Sequence, residues 1–128
     1  MVWGTSMWPF HRSVNLARRG ERLAAAALKA AGCRILARNY RCPAGEADLI
    51  GLAGQTLVFA EVKTRSDDSF AVPESAVDRR KQQQYRRVAR YYLGRVQRDD
   101  LAVRFDILAV LIRPGEKPQV RHLVDAFR

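Results

Sequence analysis

The stretch 45–65, GEADLIGLAGQTLVFAEVKTR, holds two strands and the turn between them. Residues 46–52 (EADLIGL) and 56–65 (TLVFAEVKTR) are rich in aliphatic and β-favouring side chains and read as strands. Gly54-Gln55 suits a two-residue type II′ turn, with glycine at the first central position. That turn sets Asp48 opposite Glu61 and Glu46 opposite Lys63, and side-chain alternation puts all four on one face. Opposed Cβ atoms stand about 4.5–5.5 Å apart, where like charges destabilise a sheet. Asp48 and Glu61 also sit among Leu49, Ile50, Phe59 and Val62, so the pair needs a cation or a shared proton.

Upstream, residues 13–31 read as a helix, with Ser13 or Asn15 as cap and Gly32 as stop. Leu16, Ala17, Gly20, Leu23, Ala24, Ala27, Leu28 and Ala31 share an apolar arc, while Arg18, Arg19, Arg22 and Lys29 share the opposite one. Glu21 lies beside Ala17, Ala24 and Leu28 rather than on the charged arc. Residues 33–41 read as a strand and 42–45 as a loop. Downstream, Ser66 to Pro73 is loop-like, 74–93 is a helix ended by Gly94, and 101–112 and 119–124 are strands. The order is αβββαββ, an α/β class. The second helix is long enough to cross the sheet and bring strand 101–112 parallel to strand 56–65. Residues 1–12 are expected to be a flexible tail, and 13–128 a single domain.

Lysine and arginine total 23 against 13 acidic residues, a net charge of +10, which draws a small domain to polyanions, nucleic acid first among them. No apolar run approaches a bilayer span and the N-terminus has no secretory pattern, so a cytoplasmic protein without membrane contact is expected. Cys33 and Cys42 make no CxxC pair and no disulfide framework, and suit reduced thiols; a single bridge stays open. The two cysteines and two histidines lack zinc spacing.

A hard divalent cation, Mg²⁺ or Mn²⁺, fits carboxylates better. Asp48 and Glu61 are candidate ligands, and Lys63, on the same face as Glu61, can orient an attacking water and offset developing charge. Glu61-Val62-Lys63 alone also fits the alternation of a half-exposed strand, and Glu21 alone fits a helix-edge carboxylate paired with Arg18; Asp48 opposite Glu61 and Glu21 on an apolar arc together argue for a site. Glu46 and Lys81 are candidate supporting groups, although the Lys81 tail also fits a snorkelling residue on the stripe Val77, Lys81, Tyr85, Val88. Arg65, Arg79, Arg80, Arg86 and Arg87 read as a solvated basic face, which on a nucleic-acid binder, together with Lys81, would meet phosphates without reading sequence. His11 and His122 carry no motif, Asp67 and Asp68 read as loop solvation, and Asp106 marks either a strand's exposed end or a buried hydrogen bond.

The series Gly20-Glu21, Gly32, Arg38-Asn39-Tyr40-Arg41, Gly45-Glu46-Ala47-Asp48-Leu49-Ile50, Phe59-Ala60-Glu61-Val62-Lys63-Thr64-Arg65, Lys81 and Arg104-Phe105-Asp106 resembles the YraN-like family of small bacterial, endonuclease-like proteins. The resemblance runs from about residue 15 to 127. It implies the restriction-endonuclease-like fold, a three-layer core with a mixed central sheet flanked by helices. It is also similar to archaeal Holliday junction resolvases, whose site joins a helix Glu, a strand Asp and a Glu-x-Lys pair. By that resemblance Glu21, Asp48 and Glu61 are metal ligands, Asp48, Glu61 and Lys63 do the chemistry, and Lys81 supports it. Ala47 stands where the wider nuclease motif has proline and where the family has a bulkier apolar residue. The implied activity is Mg²⁺- or Mn²⁺-dependent endonucleolytic cutting of DNA, branched or otherwise structured, with a homodimer where two strands are cut. The rival is a nucleic-acid-binding protein that keeps the fold without cleavage.

Overall fold

The computed structural model describes residues 8–66 and 77–128, apart from the side chains of 8–14. The elements run α1 (Trp8–Ala30), β1 (Arg34–Cys42), β2 (Gly45–Ala53), β3 (Thr56–Arg65), α2 (Arg79–Val96), β4 (Ala102–Leu111) and β5 (Gln119–Phe127). This is the expected αβββαββ order. The sheet order is β1-β2-β3-β4-β5. β3 and β4 pair in parallel, and the other neighbours are antiparallel.

The β2–β3 ladder runs from Ala53↔Thr56 to Leu49↔Ala60, the register the turn predicted. Gly54 adopts φ +60° while Gln55 is not among the residues with positive φ, as a type II′ turn requires. Alternation then sorts the strands onto two cores. Ile50, Leu57, Phe59, Phe105 and Ile107 pack with Tyr85, Val88 and Ala89 of α2. Leu49, Val58, Ala60, Leu108 and Val110 pack with Ala24, Ala25 and Leu28 of α1. A mixed sheet lies between two helices, the three-layer arrangement of the restriction-endonuclease-like core. Each large side chain removed from water here contributes about 1.5–3 kcal/mol.

Element ends differ from the sequence reading for local reasons. α1 begins at Trp8 instead of residue 13, so 8–12 are helical and neither Ser13 nor Asn15 is a cap. Pro9 in the first turn has no intrahelical hydrogen bond to lose. At the other end Gly32 (φ +95°) closes the helix: its N–H donates to Lys29 O and that of Cys33 to Leu28 O, the double bond of a Schellman stop. α2 starts at Arg79, because the Asp78 carboxylate accepts from the Lys81 N–H at 2.9 Å and caps it there. Gly94 stays helical, and the left-handed residue that ends α2 is Gln97 (φ +55°), whose N–H bonds Leu93 O. Pro43 and Ala44 form a tighter link between β1 and β2 than the loop over 42–45, and β5 runs on past 124 to Phe127, which stacks on Phe105 at 5.0 Å. The expected start of the second helix at 74, and Asp67 and Asp68, lie outside the described residues.

Asp106 resolves to the buried alternative. It is fully buried and takes two 2.9 Å bonds from the Arg104 guanidinium, a 2.7 Å contact with His122 Nε2 and a 2.9 Å bond from the Asp125 N–H. Burial pushes its carboxyl up, but these donors outweigh burial and hold it below the ordinary carboxylate value. The network sits where the β4–β5 register shifts, between Phe105 and Ile107, and Asp125 there adopts φ +55°. His122 therefore has a structural partner that no motif announced.

Candidate active site

Beyond Leu49↔Ala60 the paired β2–β3 register ends, and side chains take over the bonding. Asp48 Oδ2 accepts from the Val62 N–H at 2.8 Å. From the helix side, the Tyr85 hydroxyl accepts from the Asp48 N–H at 3.3 Å and lies 2.6 Å from Glu61 Oε1 and 3.2 Å from Ala60 O. Its one proton goes to the carboxylate, the shorter and charge-assisted partner. Glu61 is buried, and its Oε2 lies 3.3 Å from Lys63 Nζ, which is about one-third exposed. One phenol thus fixes both strands and one carboxylate.

The electrostatics are those of crowded anions. Burial, the Glu61 charge and the Glu21 charge push Asp48 up to about 7, against the lowering effect of the Val62 N–H. Burial, then Glu61 and Asp48, push the Tyr85 phenol well above its ordinary value, so it stays a donor. Glu21 reaches this neighbourhood because α1 packs tightly on β3. A Cβ on Gly20 would lie 2.0 Å from Thr64 Oγ1, so only glycine permits that approach. Glu21 lines a cavity of about 230 Å³ with Asp48, and its Oε1 accepts from Asn39 Nδ2 at 3.4 Å. Asn39 lies between the pairs Arg38↔Leu49 and Tyr40↔Ala47 and adopts φ +50°, which is costly outside glycine.

The structure separates the other sequence candidates. Glu46 and Lys63 are not among the paired positions of β2 and β3. Glu46 is exposed, pairs with Arg41 at 3.4 Å, and offers only its backbone oxygen to Gln84. Alternation failed to place it because the paired register that carried the argument stops at Leu49. Lys63, Arg80, Lys81, Gln84 and Arg87 line a second cavity with Asp78. Arg65 and Arg79 are exposed, and Arg65 Nη1 donates to Thr64 O. The sequence reading placed Tyr85 with the apolar side of its helix. A tyrosine there announces a polar end, but not that it reaches both strands. Cys33 is buried and free, Cys42 is free and half-buried, and burial pushes the Cys33 thiol up.

Residues 20–110 match the sequence pattern described as "Uncharacterised protein family UPF0102". The chain belongs to the UPF0102 family. It is 43% identical over 113 residues to a UPF0102 protein of Geotalea daltonii, covering 88% of this chain and 89% of the relative. It is 47% identical over 98 residues to one of Moorella thermoacetica, covering 77% and 82%, and 44% identical over 112 residues to one of Nocardia farcinica, covering 88% of each. The matched UPF0102 segment contains Glu21, Asp48, Glu61 and Lys63. Among the described residues no helix is long and apolar enough to cross a membrane.

The donor chemistry fits a hard divalent cation. Asp48 and Glu61 offer carboxylate oxygens, and the mutual repulsion that raises Asp48 is one that a bound cation would relieve. Among the described residues no three His, Cys, Asp or Glu side chains form a ready-made cage. Mg²⁺ does not ask for one: it keeps waters and is held by one or two carboxylates plus substrate phosphate.

Proposed function

We propose that this UPF0102 protein is a Mg²⁺- or Mn²⁺-dependent phosphodiesterase that cuts DNA internally, branched or otherwise structured DNA included. The observation that carries the reading is the Asp48–Glu61 carboxylate pair with Lys63 on Glu61. Asp48 and Glu61, with Glu21 beside Asp48, are the residues that would hold the ion, which supplies an activated water and charge stabilisation at the phosphoryl oxygens. The Val62 N–H and the Tyr85 hydroxyl fix the orientation of the two carboxylates in advance. Lys63 presents an ammonium where negative charge builds on the phosphate and can orient the incoming water. Arg80, Lys81 and Arg87, beside Lys63, hold the backbone without reading its sequence.

A second reading, binding without cleavage, is favoured by the engagement of Glu61: one oxygen bonds Tyr85 and the other Lys63. Cleavage of an end-labelled panel (single strand, duplex, flap, four-way junction) with Mg²⁺ or Mn²⁺ separates the two. Wild type should cut at least one substrate, and Asp48→Asn and Lys63→Ala should lose cutting while still binding. If no substrate is cut and all three proteins bind alike, the binding reading replaces the catalytic one.

A further inference from the structure

Two cavities lie near the carboxylates, one bordered by Asp48 and the other by Lys63, the partner of Glu61. The first, about 230 Å³, is lined by Arg18, Arg22 and Arg38 as well as Asn39, Glu21 and Asp48. The second, about 330 Å³, is lined by Lys63, Arg80, Lys81 and Arg87 together with Asp78 and Gln84. Asp48 belongs to the first, while Lys63, 3.3 Å from Glu61, belongs to the second. The carboxylate pair thus links two cavities rich in basic residues, one lined from α1, β1 and β2 and the other from β3 and α2. Only the α2 wall enters the reading above.

We propose that Arg18, Arg22 and Arg38 form a second phosphodiester-binding subsite, so that a nucleic-acid backbone crosses Asp48 and Glu61 from one basic wall to the other; this rests on reading the centre as a phosphodiester site. Arg18 and Arg22 are one turn apart on α1, and Arg38 reaches the same cavity from β1. The lining carries three arginines against two carboxylates, Glu21 and Asp48, and so has an excess of positive charge. No ion pair among the described residues neutralises them, whereas Arg41, Arg98, Arg104 and Arg128 each have a carboxylate. Glu21, one of the two acids of this lining, accepts a hydrogen bond from Asn39 at 3.4 Å. Asn39, left-handed at φ +50°, stands in the same lining and bonds one oxygen of Glu21. Their planar forks match phosphate oxygens two at a time. Asp48 and Glu21 repel a phosphate pushed onto them, so it stays on the arginine side, next to the phosphate at the centre.

The test is metal-free binding of a labelled DNA duplex, with a duplex RNA arm, followed by anisotropy across salt in EDTA. Each phosphate contact contributes about 0.9 to the slope of log affinity against log salt for duplex DNA. Arg22→Ala/Arg38→Ala should lower the slope by close to 2 and weaken binding most at low salt. Arg22→Gln/Arg38→Gln should do the same while keeping side-chain bulk. Arg95→Ala/Lys117→Ala removes equal charge elsewhere, Arg95 being about 21 Å along α2 from Lys81, and should leave the slope near wild type. Wild-type binding with a slope unchanged in the arginine variants, or lowered no more than in the control, overturns the subsite alone. Absence of wild-type binding to either probe overturns the subsite and the nucleic-acid reading together. A lowered slope in a protein that cuts nothing sustains the subsite and removes the catalytic reading.

Discussion

Asp48→Asn should stabilise the metal-free protein at neutral pH. Asp48 is raised from 3.8 to about 7, roughly three pH units, by burial and by Glu61. Each unit corresponds to about 1.4 kcal/mol, so ionising Asp48 in the folded chain costs up to about 4 kcal/mol. Asparagine keeps an oxygen for the Val62 N–H and carries no charge. In this window the folded state holds a proton that the unfolded chain has released, so this group's contribution makes stability fall as pH rises from about 4 to about 7. The variant should show no such loss. Urea unfolding in EDTA should give a gap of about 2–4 kcal/mol at pH 8 in favour of Asp48→Asn, or roughly 5–15 °C in Tm, closing toward pH 4. Glu61→Gln removes the same repulsion, so the double variant should gain less than the sum of the singles. Equal or lower stability of Asp48→Asn at pH 8, with no change in the gap from pH 4 to 8, would refute the account of a crowded carboxylate pair.

Three further outcomes rest on other parts of the fold. Tyr85→Phe leaves Glu61 without its buried donor and should cost about 1–3 kcal/mol in urea unfolding, while lowering any metal-dependent cleavage. Gly20→Ala, ordinarily favourable in a helix by about 1 kcal/mol, should here lower Tm, since its methyl meets Thr64 at 2.0 Å; Thr64→Ala in the same chain should recover part of the loss. Asp106→Ala strips the buried partner from Arg104 and His122 and should cost about 3–5 kcal/mol at pH 7. Because the folded carboxyl is held below 3.8, that stability is fully present above the unfolded value and is lost as pH falls through the folded one, so the gap should close in acid melts.

The strand register was legible because one turn, Gly54-Gln55, dictates it, and the parallel β4 because a long helix must cross the sheet. Asp48 and Glu61 lie one residue beyond the last pair, Leu49↔Ala60, so the turn brought them near one another without pairing them, and Lys63 follows two residues on. Glu46 did not follow, since alternation holds only while strands stay paired. The roles of Tyr85 and Asn39 were not readable: each depends on where a helix lands on the sheet, which is long-range packing. The same is true of Asp106, whose partners come from Arg104 nearby and from His122 and Asp125 on another strand. The start of α1 was missed because Pro9 beside aromatic residues resembles a tail as much as a first turn.

Both outer strands of the sheet carry a break in register and a left-handed residue that is not glycine: the shift at Ile35/Ala37 with Asn39 in β1, and the shift at Phe105/Ile107 with Asp125 in β5. Such a kink turns backbone N–H and C=O groups out of the plane in which a sixth strand would lie. The exposed Arg34, Arg38 and Arg41 of β1, and Arg121 of β5, add like charge to any approaching copy. Association of two copies by strand addition, the common route from a native edge to aggregation, is thereby opposed at both edges, and the two left-handed residues that contribute to this, Asn39 and Asp125, also bond Glu21 and Asp106.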